Sequence, residues 1–269
     1  MKDKILITGT HGFVGKNLVK ILKDKYQIFT LNEIDLQKDW NSILKNIFDQ
    51  GIIGVFHIGA CSDTLEQNVN YMMLLNYEVT KHITDLCKEY QVKLIYSSSA
   101  ANYGVNNMYP SNLYGWSKYA GEGYVISNGG IALRYFNVYG PGEENKGKMA
   151  SVAYQMFQTS QNNKPIKLFP GKPERDFVYI NDVIDANIFA LKHYNLYKEN
   201  WYEVGSGNAR LFEDVVECLG LDYTYHPERV IPKGYQYYTC SDNNKWMGGW
   251  KPKYQLEDGI KDYLKYLVK

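Results

Sequence analysis

The chain has 269 residues, enough for one large α/β unit or for such a unit with a smaller lobe. Hydrophobic residues make up 45 %, which allows a sizeable core, and 30 Lys and Arg residues nearly balance 29 Asp and Glu residues. This balance argues against a nucleic acid or a membrane surface as a partner. The 25 tyrosines could stack on single-stranded nucleic acid, but the basic track that such a groove needs is missing.

The apolar run near the N-terminus, Lys4–Thr8, is short and ends in a glycine turn, so we interpret it as a first strand and not as a signal peptide. The sequence contains no run of about 18 apolar residues that could span a bilayer. Cys61, Cys87, Cys218 and Cys240 lie far apart, without the C-x-x-C spacing of metal sites. We therefore expect free thiols in a reducing cytoplasm, and no metal site.

Short apolar runs alternate with amphipathic helical patterns over the first half of the chain. The predicted strands are Lys4–Thr8, Tyr26–Leu31, Ile52–Ile58, Val92–Tyr96 and Ile131–Phe136. The predicted helices run from about Val14 to Leu22, from about Leu65 to Tyr90, and over Tyr114–Ile126. This alternation, without hairpin signals, predicts an α/β fold: a Rossmann-type doubly wound parallel sheet with a smaller C-terminal substrate lobe.

The domain boundaries follow from where this pattern loosens. We expect residues 1–138 to form an NAD(P)-binding Rossmann domain. Gly, Pro, Asn and Lys accumulate after Tyr139, which places residues 139–175 and 205–269 in the substrate lobe. A strand-helix-strand unit within residues 176–204, formed by Asp176–Ile180, Val183–Leu191 and Trp201–Val204, is predicted to return to the main sheet.

A glycine turn follows the first strand and opens the first helix: Gly9-Thr10-His11-Gly12-Phe13-Val14-Gly15. The first glycine permits a tight turn, the second lets the backbone approach a pyrophosphate, and the third lets helix and strand pack closely. The N-terminus of the helix then offers free N–H groups and a positive dipole end to the phosphates. The turn therefore predicts a dinucleotide-binding site.

The second strand ends where the adenosine ribose of a dinucleotide is expected. Glu33 can bond the ribose hydroxyls and would repel a 2′-phosphate, which favours NAD over NADP. His11 or Lys38 could offset this repulsion, so both cofactors stay open. The residues predicted here are Asn32, Glu33, Asp35 and Leu36.

Three side chains suit hydride chemistry on an alcohol. Ser99 closes a predicted strand, and Tyr114 and Lys118 lie four residues apart on one helix face. A free tyrosine, with a pKa of about 10, is a poor base at neutral pH. A neighbouring ammonium group favours the phenolate, and a serine hydroxyl can hold the substrate oxygen. We therefore predict Tyr114 as the base, with Lys118 and Ser99 as its partners.

Together with the glycine turn, these residues resemble the extended short-chain dehydrogenases/reductases, which include nucleotide-sugar epimerases, dehydratases and reductases. The resemblance covers nearly the whole chain and is strongest to the ADP-L-glycero-D-manno-heptose 6-epimerases of that group. The segments that carry it are His57-Ile58-Gly59-Ala60-Cys61-Ser62, Tyr71-Met72-Met73, Arg134-Tyr135-Phe136-Asn137-Val138-Tyr139-Gly140-Pro141, Lys146-Gly147-Lys148-Met149-Ala150-Ser151 and Arg175-Asp176-Phe177-Val178-Tyr179.

The resemblance implies site residues that composition does not single out. It makes Lys146 a second acid/base, facing the sugar from the side opposite Tyr114. It places Asn76, Lys118 and Val138 at the cofactor, where Ile58, Gly59, Ala60, Cys61 and Ser62 are also expected because they lie at or just after the end of the third predicted strand. For the sugar nucleotide it implies Asn137, Lys148, Gln155, Phe169, Gly171, Arg175 and Tyr235; the Arg175 guanidinium can pair with a diphosphate.

The chain also departs from the heptose epimerases. The loop after the second strand is shorter, Lys148 and Gln155 replace a serine and a histidine, and Asp63 stands in place of a second serine. Ala100-Ala101-Asn102 lacks the acidic run of the dehydratases and the cysteine of the epimerases that deprotonate carbon.

The predicted function is an epimerase of a nucleotide-activated heptose that uses bound NAD or NADP. A 4-epimerase or a reductase of another nucleotide sugar is an alternative, and so is a catalytically silent, dinucleotide-binding sensor. The expected partner is a nucleotide sugar, with no nucleic acid and no membrane. Whether the chain forms a homo-oligomer stays open.

Overall fold

The computed structural model describes residues 2–33, 35, 39–105, 108–226 and 236–268. The strands are β1 (Lys4–Thr8), β2 (Gln27–Leu31), β3 (Gly54–His57), β4 (Lys93–Ser99), β5 (Ile131–Tyr135), β6 (Asn137–Tyr139), β7 (Ile166–Leu168), β8 (Glu174–Tyr179), β9 (Asn200–Val204), β10 (Ala209–Leu211) and β11 (Tyr223–Tyr225). The α-helices are α1 (Phe13–Leu22), α2 (Trp40–Phe48), α3 (Val69–Met73), α4 (Val79–Glu89), α5 (Leu113–Ser127), α6 (Val152–Gln161), α7 (Ile180–Lys192), α8 (Tyr194–Tyr197), α9 (Phe212–Cys218) and α10 (Leu256–Leu267). A π-helical turn, Leu74–Glu78, joins α3 to α4, and short 3₁₀ turns cover Ala100–Tyr103, Glu144–Met149 and Asn243–Lys245.

The main sheet has six parallel strands in the order β2-β1-β3-β4-β5-β9. The order reverses between β1 and β3, which is the position where sheets of this kind bind ligands beyond the carboxyl ends of their strands. The arrangement confirms the expected Rossmann-type α/β fold. The strand predicted at Lys4–Thr8 is observed with the same bounds. The strand predicted at Ile131–Phe136 ends one residue earlier in the structure, at Tyr135.

The core lies on both faces of this sheet because successive strand residues point to opposite sides. Ile5 and Ile7 pack in one buried cluster with α1 and α7, whereas Leu6 packs in a second cluster with α2, α4 and α5. Strands that are covered on both faces read as continuous apolar runs, which is why the sequence pattern identified them. The cluster on the α1 side continues into the C-terminal residues, including Trp250 and Tyr263.

One predicted strand pairs elsewhere. β8 forms where Asp176–Ile180 was expected, but it lies between β6 and β10 in a separate three-stranded sheet and not in the main sheet. The free edge of β5 is occupied by β9, which pairs with it along its whole length. The chain leaves the main sheet after β5, and β6 pairs with β8; α7 then packs against β4 and β5, and β9 rejoins the main sheet.

The C-terminal segment is fastened to the first part of the chain by buried contacts. The carboxylate of Asp182, at the start of α7, accepts hydrogen bonds from the backbone N–H groups of Lys253 (2.9 Å) and Tyr254 (3.0 Å). In α10, Gly259 leaves room for the ring of Tyr139, because a Cβ there would lie 1.9 Å from its hydroxyl.

Among the described residues, no helix has the length and apolar character needed to cross a bilayer, and the four cysteines are free thiols.

The glycine turn joins β1 to α1 by close backbone packing. Gly9 has a φ of +67°, a conformation that residues with side chains rarely adopt, and a Cβ on it would lie 2.6 Å from the Cα of Gly59. A Cβ on Gly15 would lie 2.2 Å from the carbonyl oxygen of Gly9. Two of the predicted roles, a tight first turn and close packing at the third glycine, are therefore observed in the backbone.

Substituting Gly15 tests this packing. In Gly15→Ala the new methyl group meets backbone that cannot move without shifting the turn, so we expect a loss of about 1–3 kcal/mol in the free energy of unfolding by urea. Gly123→Ala is the matched control, because Gly123 is exposed on α5 with no atom near the added Cβ. That variant should gain up to about 1 kcal/mol from helix propensity. Equal stability changes in the two variants would contradict the packing argument.

Candidate active site

A cavity of about 800 Å³ opens at the carboxyl ends of the main-sheet strands, beside the point where the strand order reverses. This volume is typical of small-molecule sites. The predicted site residues that line it are Gly9, Gly12, Phe13, Val14, Asn32, Glu33, Ile58, Gly59, Ala60, Ser62, Ser99, Tyr114, Lys118, Asn137, Val138 and Lys146. The fold thus brings residues from the first 150 positions of the chain to one cavity wall.

The N-terminus of α1 faces this cavity with its backbone donors available. Gly12 is the N-cap residue, in an extended conformation, and no side chain caps the helix. The first turn of α1 carries no acidic residue. Uncapped N–H groups and the positive end of the helix dipole favour an anion at this position.

The residues predicted to contact the adenosine ribose of the cofactor follow β2. Glu33 lines the cavity and accepts a hydrogen bond of 2.6 Å from the hydroxyl of Tyr71, a residue of α3. The side-chain oxygen of Asn32 accepts from the Thr10 hydroxyl (3.1 Å) and the His11 N–H (3.2 Å), so it stabilises the glycine turn. Asp35 accepts from the N–H of Asn32 (2.8 Å) and closes the turn after β2. Leu36 and Lys38 lie outside the described residues.

Two residues expected at the cofactor lie behind the cavity wall. Asn76 is fully buried in the π-helical turn, a distortion found frequently at functional sites. Its oxygen accepts from the N–H of Cys61 (2.7 Å), and its amide donates to the carbonyl of Cys61 (3.0 Å) and to the hydroxyl of Ser117 (2.9 Å). Asn76 therefore holds the loop after β3 in place, and Cys61 is the residue that it holds.

Ser99, Tyr114 and Lys118 all line the cavity. Burial raises the pKa of Tyr114, while a hydrogen bond with the Ser99 side chain lowers it. Burial lowers the pKa of Lys118 to about 7, an effect opposed by the charge of Glu122. The Lys118 ammonium lies 4.2 Å from the centre of the Tyr96 ring, a cation–π contact. Lys118 is therefore close to its midpoint of protonation near neutral pH.

Lys146 enters the cavity from another side. It lies in the 3₁₀ turn Glu144–Met149, half-buried, with its ammonium 5.3 Å from the centre of the Phe13 ring. Burial lowers the pKa of Lys146, and the negative charge of Glu143 opposes this shift. Phe13 begins α1, which covers one face of the main sheet, whereas Tyr114 belongs to α5 on the other face. Lys146 thus lies in the cavity wall beside a helix of one face of the sheet, whereas Tyr114 is carried by a helix of the other face.

Of the described residues expected at the sugar nucleotide, Asn137 is the one in the cavity wall. The Gln155 amide donates to the Lys148 (3.2 Å) and Ala150 (2.7 Å) carbonyls, and Phe169 stacks on His226 with ring centres 5.6 Å apart. Arg175 donates to the carbonyls of Glu174 and Gln236, Lys148 is exposed, and Gly171 has a φ of +108° in a turn. Tyr235 lies outside the described residues.

His57 and Glu143 are buried residues that the sequence did not assign to the site. The hydroxyl of Thr80 donates to the carbonyl of Asn76 (2.8 Å), so it accepts from His57 Nε2 (2.8 Å). With its one proton on Nε2, the neutral ring accepts at Nδ1 from the Thr8 hydroxyl (2.8 Å), which itself accepts from the Gly59 N–H (2.8 Å). His57 is thus a neutral link between β1, β3 and α4; its place at a strand end was the available signal.

Both ring nitrogens of His57 are occupied by threonine hydroxyls, so the ring is unsuited to binding a metal as it stands. In the part of the chain that the structure describes, no group of three or more His, Cys, Asp or Glu side chains could hold a metal ion. Glu143, by contrast, had no signal in the sequence, because an acidic residue in a loop rich in Gly, Glu, Asn and Lys is normally solvated.

Comparisons with known proteins extend this description. Residues 5–205 match the NAD dependent epimerase/dehydratase family. The ADP-L-glycero-D-manno-heptose-6-epimerases of Brachyspira hyodysenteriae and Cupriavidus pinatubonensis are 34 % and 33 % identical to the chain, each alignment covering 98 % of both proteins. These alignments extend over 314 and 329 positions, so the relatives contain insertions relative to this chain. The crystal structure of the Helicobacter pylori ADP-L-glycero-D-manno-heptose-6-epimerase matches with a TM-score of 0.87 at 32 % identity, over 99 % of this chain and 96 % of that one.

The neutral state of His57 has a consequence for stability. Its pKa falls from 6.5 to about 3 on folding, chiefly through burial, so unfolding takes up a proton between these values. The stability that depends on neutral His57 is complete above pH 6.5 and is lost as the pH falls towards 3. Between about pH 7 and about pH 5, the wild-type free energy of unfolding should fall about 2 kcal/mol more than that of His57→Gln. Parallel pH profiles from urea unfolding would contradict the assignment.

Proposed function

The chain belongs to the NAD dependent epimerase/dehydratase family, and we propose that it is an epimerase of an ADP-activated heptose. The observation that carries this proposal is the presence of Tyr114 and Lys146 in the wall of one cavity, with Tyr114 on a helix of one face of the sheet and Lys146 against Phe13, which begins a helix of the other face. An epimerase needs two acid/base groups, because its two substrates carry the hydroxyl on opposite sides of one carbon. The heptose follows from the relatives, which are named for it and align with this chain over 98 % of their length.

The residues around the cavity fit a nicotinamide dinucleotide. The uncapped N-terminus of α1, reached through Gly9 and Gly12, would hold the pyrophosphate, and Glu33 would hold the adenosine ribose. When bound there, the cofactor would supply the hydride chemistry, as reversible acceptor of a hydride from the sugar carbon. Lys118 and Val138, which line the same cavity, are proposed to contact this cofactor, and Asn76 to support it through the loop at Cys61.

Tyr114 is proposed to remove the hydroxyl proton of one epimer as its carbon is oxidised. The Ser99 hydroxyl, hydrogen-bonded to Tyr114, lies where it can hold the sugar oxygen. A protonated Lys118 favours the phenolate form of Tyr114 by charge attraction. Because burial raises the pKa of Tyr114, its proposed role as a base depends on the Ser99 hydrogen bond, which lowers that pKa, and on the protonated form of Lys118.

Lys146 is proposed to perform the same proton transfer for the other epimer. Burial lowers its pKa, so a larger fraction of the amine is neutral and able to accept a proton than in a solvated lysine. The Phe13 ring beside it provides an apolar surface and keeps the ammonium at the cavity wall. In this proposal, Tyr114 accepts the hydroxyl proton as the alcohol is oxidised to a ketone. The ketone then rotates within the cavity, and Lys146 donates a proton to its oxygen as it is reduced from the other side. The configuration of the carbon is thereby inverted.

Residues 139–175 and 205–269 are proposed to form the lobe that binds the sugar nucleotide. Asn137 in the cavity wall is proposed to contact the sugar, with Lys148, Gln155, Phe169, Gly171, Arg175 and Tyr235 closing around the nucleotide diphosphate and base. Arg175 and Lys148 lie outside the cavity wall in this structure, so this role requires them to reorient when the substrate binds.

A cytoplasmic location, expected from the free thiols, is part of the same proposal.

The proposed cofactor is NAD in preference to NADP, because Glu33 in the cavity wall would repel a 2′-phosphate. Fluorescence titration of the wild-type protein should show NAD binding at least as tightly as NADP. Glu33→Gln should improve NADP binding relative to NAD by roughly tenfold, the effect of about 1.4 kcal/mol of charge repulsion. Glu78→Gln, an exposed carboxylate outside the cavity, is the control and should change neither dissociation constant. NADP binding tens of times tighter than NAD would overturn the assignment.

With two acid/base groups, substitution of each group should slow the oxidation of a different epimer. Each pure epimer is mixed with cofactor-loaded enzyme, and the transient formation of reduced nicotinamide is followed. Tyr114→Phe should slow oxidation of one epimer by roughly 10²–10⁴-fold, and Lys146→Ala should slow oxidation of the other by a similar factor. Turnover should need no added reductant.

Lys164→Ala, an exposed lysine beyond α6, is the control for loss of positive charge and should leave both rates unchanged. If both variants slow the same epimer, Lys146 is not the second acid/base. Stoichiometric consumption of reduced cofactor, with a reduced sugar as product, would replace the epimerase assignment with a reductase.

A further inference from the structure

Glu143 is a fully buried carboxylate that the mechanism above does not use. It lies in the loop between β6 and α6, shortly before Lys146. Its oxygens accept four hydrogen bonds: from the N–H of Gly140 (3.1 Å), from the N–H (2.5 Å) and the hydroxyl (2.7 Å) of Ser151, and from the hydroxyl of Tyr263 (3.1 Å). Burying a carboxylate is costly unless its oxygens are bonded in this way, so the site is built around the charge.

These bonds close the loop that carries Lys146. Gly140 precedes the loop and Ser151 follows it, so one carboxylate ties its two ends together. The Lys146 N–H donates to the carbonyl of Glu143 (3.0 Å), which begins the 3₁₀ turn. Tyr263 belongs to α10, so the same carboxylate also fastens the loop to the C-terminal helix.

We propose that Glu143 is the positioning residue for Lys146: it holds the loop from Gly140 to Ser151 so that the Lys146 amine lies against Phe13 in the cavity wall. The inference rests on the proposed function, since it concerns the residue assigned there as the second acid/base. Glu143 does not itself line the cavity and touches no reacting atom. It acts through the backbone of the loop, and its negative charge additionally favours the protonated form of Lys146.

Glu143→Gln tests this role. A glutamine retains one acceptor oxygen but points an N–H₂ donor at groups that are themselves donors, so part of the loop closure is lost. We expect oxidation of the epimer served by Lys146 to slow by up to about 10²-fold, the effect of a misplacement near 1 Å. Oxidation of the epimer served by Tyr114 should stay within about twofold of the wild-type rate.

A double-variant cycle separates positioning from general damage. If Glu143 acts only by positioning Lys146, its substitution has nothing further to disturb once the Lys146 amine is absent. Glu143→Gln in a Lys146→Ala background should therefore slow the reaction by no more than about a further twofold. Asp182→Asn is the matched control: this buried carboxylate also accepts backbone hydrogen bonds and fastens the C-terminal segment, but it lies outside the cavity wall. Its effect should be equal for the two epimers and should multiply with that of Lys146→Ala.

Lysine reactivity gives a readout that needs no turnover. Brief acylation with acetic anhydride, followed by mass spectrometry, compares half-buried Lys146 with exposed Lys148 in the same turn. Glu143→Gln should raise the reactivity of Lys146 relative to Lys148 several-fold, and Asp182→Asn should not. If Glu143→Gln fails to fold, Tyr263→Phe removes a single hydrogen bond and should change both readouts in the same direction by a smaller factor.

The outcomes distinguish this inference from the proposed function. If the wild-type protein interconverts the epimers but Glu143→Gln slows both equally, or multiplies with Lys146→Ala, Glu143 supports the fold and does not position Lys146. If the wild-type protein does not interconvert the epimers, the proposed function fails, and the relative reactivity of Lys146 still decides whether Glu143 holds it. Unchanged reactivity in Glu143→Gln and Tyr263→Phe overturns the inference.

Discussion

The site depends on one backbone contact, the approach of Gly9 to Gly59 at the carboxyl ends of β1 and β3. There is no room between these turns for a side chain, since a Cβ on Gly9 would lie 2.6 Å from the Gly59 Cα. The Thr8 hydroxyl spans the same gap by accepting from the Gly59 N–H. This contact places the N-terminus of α1 and the loop after β3 on one cavity wall. A parallel sheet whose order reverses between these strands leaves the cavity open above them.

Buried carboxylates hold several segments near the cavity in place. Glu122 accepts two hydrogen bonds from the guanidinium of Arg134 and one from the hydroxyl of Ser98, beside the strand end that carries Ser99. Glu143 closes the loop that carries Lys146. Asp176 accepts from the backbone after β9 at Ser206 (2.6 Å) and Gly207 (3.0 Å). Each charge is buried with several donors around it, so removing a donor is costly and the loops have a defined position. Such preorganised surroundings suit a reaction in which charge moves between fixed groups.

Local patterns in the chain were sufficient to predict the main sheet and to group one set of candidate site residues. Apolar runs of strand length with helical patterns between them predicted the parallel sheet, and the glycine turn predicted the uncapped helix start. Ser99, Tyr114 and Lys118 could be grouped because strand ends of a parallel sheet meet at one edge and residues four apart share a helix face. Lys146 required a resemblance to known enzymes, since nothing in its own segment distinguishes it from a solvated lysine.

Other features arose only when the chain packed. β8 was recognisable as a buried strand, yet its pairing with β6 depended on β9 occupying the edge of β5, and an apolar run does not encode its neighbour. The same limit applies to charge. The pKa of Lys118 near 7 and the neutrality of His57 come from burial beside Tyr96, Thr8 and Thr80. Spacing along the chain records which side chains are available, whereas burial and hydrogen-bond partners are set by residues distant in sequence, and these determine which side chains carry charge.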